Sequence, residues 1–317
     1  MRNDKRADFQ TEPATQMSST QLSIRSSTSR EPARHARAVR AFVLALALAT
    51  SGVAQAATAM CTAHSPAHRV ALVELYSSEG CNSCPPADRW LSQWKGGGVP
   101  ESVVPLALHV DYWNSLGWTD RFSQHRFTGR QQSLTDRAGG HTIYTPEVFV
   151  SGRELRGWSQ RASFEARVRD VTASPARADV AIALTPRAPL TAGAAATLDV
   201  DATFTARATG SDSLNAYVAV YENGLSSQVR AGENSGATLH HERVVRQWIG
   251  PVPLVAGNAR IHQDVALSAF DRDAGSGSDA SGGTNMSASG NKFGVVAFVE
   301  NAATGDVLQV ADLAACR

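Results

Sequence analysis

Two cysteines separated by two residues, Cys81-Asn82-Ser83-Cys84, are the groups in this chain best suited to covalent chemistry. A thiolate attacks disulfides and is also a soft metal ligand, and this spacing serves both uses. The flanks favour exchange chemistry. Residues 70–75 form an apolar run of strand length, and residues 88–94 have helical character, so the pair falls where a strand hands over to a helix. A helix N-terminus presents unpaired N–H groups and the positive end of the macrodipole, and both stabilise a thiolate. Pro85 and Pro86 suit a first helical turn, where a missing N–H costs nothing. On this reading Cys81 attacks, and Cys84, one turn in, resolves the mixed disulfide. Asn82 and Ser83 carry no charge, so the helix end must lower the thiol pKa. Two other uses stay open: half of a zinc or copper site, and a static disulfide that clips the turn.

The elements around the pair suggest how it is held. The strand is followed by the helix, by a glycine stop at 96–98, and by a second apolar run at 103–110, an order that predicts a parallel βαβ unit. Residues 121–137 have helical spacing and read as a helical insertion. A strand at 143–150, a turn and a short return strand follow, then a helix over 159–171 capped by Ser159. This order is the thioredoxin layout. From residue 173 the texture changes to seven short runs rich in Val, Thr, Ala and Leu with turn signals between them, which predicts an all-β sandwich. The expected fold is an α/β thioredoxin-like domain with a helical insertion over 57–172, followed by an all-β sandwich-like domain over 173–317. A Gly/Ser-rich loop at 271–290 is expected to be disordered.

That layout nominates further residues. Thr145-Pro146 precedes the third strand, where a cis proline would bring its backbone beside the cysteines. Glu74, an acid inside an apolar strand, is a candidate proton acceptor for Cys84. His109, Asp111, Tyr112 and Trp113 follow the second strand at the end that carries the cysteines, and with Thr145 they are candidate substrate-facing groups. His240-His241-Glu242 suggests a metal, but adjacent strand residues point to opposite faces, so a turn and a strand with exposed charges is the expectation.

The N-terminus predicts export. Arg40, the apolar run 41–49 and Ala54-Gln55-Ala56 make a signal peptide, too short to span a bilayer that needs about 20 residues. Residues 1–56 are therefore expected to be a leader and signal peptide cleaved near Ala56, and the mature protein periplasmic or secreted. Residues 1–40 hold eight of the 30 basic and four of the 29 acidic side chains, and 41–56 hold none, so the mature chain carries 22 and 25, a net of −3. No basic patch survives to bind nucleic acid, and no stable membrane insertion is expected. In an oxidising compartment the four cysteines pair most simply as Cys81 with Cys84 and Cys61 with Cys316, the second bridge joining the two ends of the mature chain.

Taken together, residues 73–88, His109-Val110-Asp111-Tyr112-Trp113, Leu116-Gly117-Trp118, Tyr144-Thr145-Pro146, Gly152-Arg153 and Gly232-Glu233-Asn234 resemble a family of exported bacterial proteins named domain of unknown function 1223. The resemblance covers nearly all of the mature chain. It implies a thioredoxin-like domain followed by a β-rich one, and no particular activity. The residues lead to an exported thiol–disulfide oxidoreductase acting on protein or small-molecule thiols and disulfides, with no cofactor and no metal. The alternatives are a copper chaperone using the CxxC with His109 or His141, and a non-catalytic binding protein with a structural disulfide.

Overall fold

The structure is a computed structural model that describes residues 60–94, 102–187, 196–207, 213–267 and 292–316. The expected signal peptide, the glycine stop at 96–98 and the Gly/Ser loop at 271–290 lie outside the described residues. Everything below belongs to the compact unit Ala57–Arg317.

The first strand that matters to the site is β2 (Ala71–Ser77), buried at every position. A strand covered on both faces reads as a continuous apolar run, which is why its sequence shows no alternation. It runs into α1 (Pro85–Ser92), whose first two residues are the prolines, and returns as β3 (Val103–His109), parallel to β2 in the register Ala71↔Val103 to Ser77↔His109. α2 (His125–Arg137) follows, then β4 (Glu147–Val150) antiparallel to β2, the two-residue β5 (Arg153–Glu154) and α3 (Arg161–Thr172). The N-cap of α3 is Gln160 with no side-chain cap, so the expected Ser159 cap is not formed.

Faces divide by strand parity. Leu72 and Tyr76 of β2 join Phe127 and Leu134 of α2 in one apolar cluster. Ala71, Val73 and Leu75 join Ala87 and Leu91 of α1 and Phe164 of α3 in another. Thus α2 covers one face of the sheet while α1 and α3 cover the other.

The expected fold class does not hold. The protein is mostly β, and the strands around the cysteines do not form a separate α/β thioredoxin-like domain with a helical insertion. Nine strands follow α3 among the described residues: β6 (Ala178–Arg187), β7 (Thr197–Ala206), β8 (Leu214–Glu222), β9 (Leu225–Gln228), β10 (Thr238–His241), β11 (Val244–Pro253), β12 (Asn258–Ala266), β13 (Phe293–Asn301) and β14 (Val307–Ala314). Four of them continue the first sheet, giving one eight-stranded order β14-β13-β8-β11-β3-β2-β4-β5. The seam is a short parallel pairing at Val244↔Ala107, where the Ala107 N–H donates to the Arg243 carbonyl at 2.9 Å. Arg243 is buried there, donating from Nε to the Pro105 carbonyl at 2.9 Å and from its terminal nitrogen to Asp312 at 2.8 Å, with its guanidinium 3.8 Å from the Tyr221 ring centre. Local patterning identifies a strand but not which distant strand completes its edge, so the seam has no signature in the apolar runs.

The β14-β13-β8-β11 end packs through Val218, Val220, Val295 and Val299 on a four-stranded sheet, β1-β6-β7-β12, where β1 is Cys61–His64. The sandwich expected for the second half is therefore present, but half of it is shared with the cysteine-bearing sheet. Cys61 and Cys316 are joined by a disulfide that ties β1 of the small sheet to the chain leaving β14 of the large one. Gly152, at φ +84°, lets the β4–β5 turn meet the β13–β14 turn: a Cβ there would stand 1.8 Å from the Gly305 carbonyl oxygen.

Candidate functional site

Cys81 and Cys84 form a disulfide in the turn between β2 and α1, with Cys84 as the N-cap residue of the helix. Both cysteines are fully buried, while Asn82 and Ser83 between them are exposed. The Ser83 hydroxyl lies 3.2 Å from Cys81 Sγ. The Thr145–Pro146 peptide is cis, and the Thr145 carbonyl oxygen is 3.8 Å from Cys81 Sγ and 3.5 Å from Ser83 Oγ. Sequence-nominated Thr145 and Pro146 thus do sit beside the cysteine pair.

The loop between β9 and β10 closes the opposite side. Asn234 Nδ2 donates to the carbonyls of Glu79 and Cys81 at 2.8 and 2.9 Å, and the Glu233 carboxylate accepts the Asn82 N–H at 3.0 Å. Gly232, at φ +71°, fits against Trp118, whose Cβ would be 3.2 Å from a Cβ at that position. These three consecutive residues hold the cysteine turn in its observed shape.

Beneath the turn lies a group of buried ionisable side chains. His109 Nδ1 is 2.6 Å from Asp120 Oδ2, with both side chains fully inaccessible. Asp120 also accepts the backbone N–H groups of Glu79 and Phe122, each at 2.9 Å. The Glu79 carboxylate accepts Trp118 Nε1–H at 2.8 Å and faces His241 Nε2 at 3.2 Å. Asp88, in the first turn of α1, accepts the Ser77 hydroxyl at 2.9 Å and stands 3.7 Å from His241 Nδ1. The two imidazoles meet edge to face with ring centres 5.0 Å apart.

Electrostatics follow from that packing. Burial works against a charge on His109. Attraction and the hydrogen bond to Asp120, with Asp88 and Glu79 behind it, outweigh burial and push His109 up to about 9. Burial likewise opposes a charge on Asp120, yet His109 and the two backbone donors hold its carboxyl below the usual range. Burial raises Asp88, against the pull of His241 and His109.

The other nominated residues distribute differently. Glu74 is corrected as a proton acceptor for the cysteines. It shares the face of Leu72 and Tyr76, opposite the face packed by α1, and its carboxylate takes two bonds from Arg130 at 2.6 and 3.1 Å. Arg130 also reaches Glu300 at 2.8 Å and lies over the Trp248 ring at 4.8 Å. His109 is corrected as a substrate-facing group, because it is buried under the turn and held by Asp120. Asp111 ties its loop to α2 through Thr128 at 2.6 Å and His125 at 3.0 Å; burial raises its carboxyl, but these hydrogen bonds and the His125 charge together hold it below the usual range. Tyr112 and Trp113 are half-buried against the α2-side core, and burial pushes Tyr112 up to about 12. Trp113 also touches the cysteine turn, its Cβ lying 3.3 Å from where a Cβ on Gly80 would be.

Glu79, Asp88, Asp120 and His241 were not singled out as site residues by sequence reasoning. The sequence suggests a metal for His240-His241-Glu242 and favours a strand with exposed charges, but His241 is buried, while its neighbour His240 is exposed. The available signal was polar residues at strand ends next to the CxxC. Their convergence depends on the β3–β11 seam, which brings β10 to α1. Among the described residues no group of three His, Cys, Asp or Glu is arranged to hold a metal ion, and no helix is long and apolar enough to cross a membrane.

A family model described as "Protein of unknown function (DUF1223)" matches residues 72–276. Comparison with curated proteins finds no match. Among solved structures, the chain resembles the X-ray crystal structure of protein AGR_C_4864 from Agrobacterium tumefaciens, at 22% identity and a TM-score of 0.50, over 78% of this chain and 95% of that one. It also resembles HBP35 of Porphyromonas gingivalis, at 16% identity and a TM-score of 0.53, over 79% and 76% of the two chains. At these identities the likeness speaks to the fold alone.

Proposed function

We propose, on the premise that this chain belongs to the DUF1223 family, that it is an exported thiol–disulfide oxidoreductase of the periplasm or the extracellular space. Its substrates are protein or small-molecule thiols and disulfides. The observation that carries the reading is the Cys81–Cys84 disulfide at the N-terminus of α1 with the Thr145 carbonyl beside Cys81 Sγ. A sulfur at a helix N-terminus is a good leaving and attacking group, because its thiolate is stabilised by free N–H donors. Substrate approaches on the Asn82–Ser83 side, where the chain is exposed, and the turn or the 232–236 loop shifts to admit it. Cys81 forms the mixed disulfide and Cys84 resolves it.

The test is trapping. Cys84→Ser should accumulate a mixed disulfide with a small disulfide or a partner protein, and Cys81→Ser should not. Equal trapping by both variants, or by neither, overturns the assignment.

The complete burial of both cysteines favours one second reading, a static clip that fixes the turn in a binding protein. A reduction potential below about −300 mV, with no exchange against glutathione, would establish it. The copper-chaperone alternative loses one of its two ligand candidates, since His109 is engaged by Asp120 inside the protein.

A further inference from the structure

The exchange reading leaves open what holds the Thr145 carbonyl beside Cys81 and what that oxygen binds. Residues 141–146, which lead into β4, belong to no helix or strand. One side chain reaches this segment from α2. The buried face of that helix runs Phe127, Gln131, Leu134, at i, i+4 and i+7, and all three are fully buried. Phe127 and Leu134 belong to the apolar core, so Gln131 is an amide in an apolar stripe. Burying an amide is unfavourable unless its hydrogen bonds are made. A leucine would fill the stripe without that penalty, so the reason for the amide lies in what it bonds.

Gln131 Nε2 donates to the Tyr144 carbonyl at 2.7 Å and to the Glu147 carboxylate at 2.6 Å. A carbonyl only accepts, so the nitrogen of the amide must be the atom that faces Tyr144. Its two hydrogens are used on the two sides of the Thr145–Pro146 peptide. Glu147 is the first residue of β4 and pairs in register with Tyr76 of β2, the strand that runs into the cysteine turn. The Tyr144 hydroxyl supplies a second tie, donating to Glu154 of β5 at 2.5 Å. Between these ties the Thr145 carbonyl oxygen stands 3.8 Å from Cys81 Sγ. A disulfide sulfur has no hydrogen to give. The other polar contact of that oxygen among the described residues is the Ser83 hydroxyl at 3.5 Å, longer than an ordinary O–H···O bond. A carbonyl oxygen has two lone pairs, so it keeps room to accept beside the sulfur that a substrate must reach. Its complement is an N–H next to a substrate sulfur, as in a disulfide made by a cysteine within a peptide.

Resting on the redox reading, we infer that Gln131 is a positioning residue of the cysteine site: it brackets Thr145–Pro146 so that the Thr145 carbonyl accepts an N–H of a peptide disulfide while Cys81 attacks it. The step balances as follows. The Cys81 thiolate of the reduced protein attacks one sulfur of the substrate disulfide. A Cys81–substrate bond forms, the substrate S–S bond breaks, and the other substrate sulfur leaves as a thiolate. The Cys84 thiolate then attacks Cys81 Sγ, the Cys81–Cys84 bond forms, and the second substrate thiolate leaves. The two thiol protons of the protein pass to the solvent, and the two substrate thiolates are protonated from it. The protein dithiol is oxidised and the substrate disulfide reduced, two electrons moving between them.

The experiment uses the Cys84→Ser protein, in which Cys81 is left as a free thiol and the Cys61–Cys316 bridge stays closed. Two anionic alkyl disulfides are compared. N-acetylcystine carries an amide N–H near each sulfur, and dithiodipropionate is the same molecule without the acetylamino groups. The readout is the ratio of their rate constants for forming the mixed disulfide with Cys81. A change in the ionised fraction of Cys81, or in the opening of the turn, acts on both reactions and cancels in the ratio. Gln131→Met fills the apolar stripe with no donor, and Gln131→Asn keeps an amide that is one methylene short. Each should lower the preference for N-acetylcystine by about fivefold, the size of one hydrogen bond. A ratio that matches the Gln131 protein overturns the inference. A readout with Gln131 in place is the Thr145 carbonyl carbon resonance in the two mixed disulfides. It should differ between the acetylcysteine and mercaptopropionate adducts, and an identical resonance overturns the inference. A Cys84→Ser protein that reacts with neither disulfide refutes the redox reading itself, a result distinct from the others.

Discussion

Replacing His109 by Gln should remove a stability term that depends on pH in a defined direction. His109 is fully buried against Asp120 at 2.6 Å, and its folded pKa stands at about 9 against 6.5 for the free side chain. At 1.36 kcal/mol per pH unit the difference amounts to about 3 kcal/mol. The folded value lies above the unfolded one, so this contribution is complete below about pH 6.5 and is lost as pH rises through about 9. Asp120 moves the other way, its carboxyl held low, so its contribution is present at neutral pH and lost as pH falls through its folded value. The assay is urea unfolding of the oxidised wild type and His109→Gln at pH 6 and pH 10. The variant should be destabilised at pH 6 by about 3 kcal/mol more than at pH 10. Equal deficits at the two pH values, or a larger one at pH 10, would refute a charged His109 held by Asp120.

Three further outcomes are expected. Arg130→Met leaves the buried Glu74 carboxylate with the Tyr76 hydroxyl at 3.4 Å and Glu300 with the partly exposed Arg137 at 3.2 Å, and should cost about 3–5 kcal/mol in urea unfolding; Glu74→Gln should also destabilise, yet leave the rate of thiol exchange unchanged. Removing the Cys61–Cys316 bridge with a double Ser variant opens a loop closed across a separation of 255 residues and should lower stability by about 5 kcal/mol on the chain-entropy model, measured as a fall in the urea midpoint with Cys81–Cys84 intact. Glu147 is pushed up to about 7 by burial, against the hydrogen bond from Gln131 and with Glu154 nearby. A carboxyl raised in this way loses stability as pH climbs from about 4.5 through 7, so thermal unfolding should show Glu147→Gln more favourable relative to wild type at pH 8 than at pH 4.

The positions of the elements near the cysteines were largely legible. The apolar run before Cys81, the prolines after Cys84 and the second run at 103–110 predict β2, α1 and β3, and those elements pair in parallel as the pattern implies. Glu74 shows where such reading stops. An acid in an apolar strand signals a buried partner, but one residue of parity decides which face it occupies. Here that face belongs to α2 and Arg130 rather than to the cysteine helix. His241 shows the complementary case. Its local pattern of alternating exposure, with His240 out and His241 in, is compatible with the sequence, yet nothing local says that the inward face meets Asp88 and Glu79.

Local chemistry in the chain was enough to determine the CxxC at a strand–helix junction, the cis-capable Thr145-Pro146 segment, the terminal cysteines that can bridge, and a second half made of strands. These depend on residue type and near-neighbour spacing, which the backbone reads directly. The single eight-stranded sheet, the seam at Val244↔Ala107 and the convergence of His109, Asp120, Glu79, Asp88 and His241 under the cysteine turn were decided only by tertiary structure. Their partners lie from 11 to 162 residues apart in sequence. Contacts of such range are selected by packing and by satisfying buried polar groups, and neither leaves a periodicity in the chain.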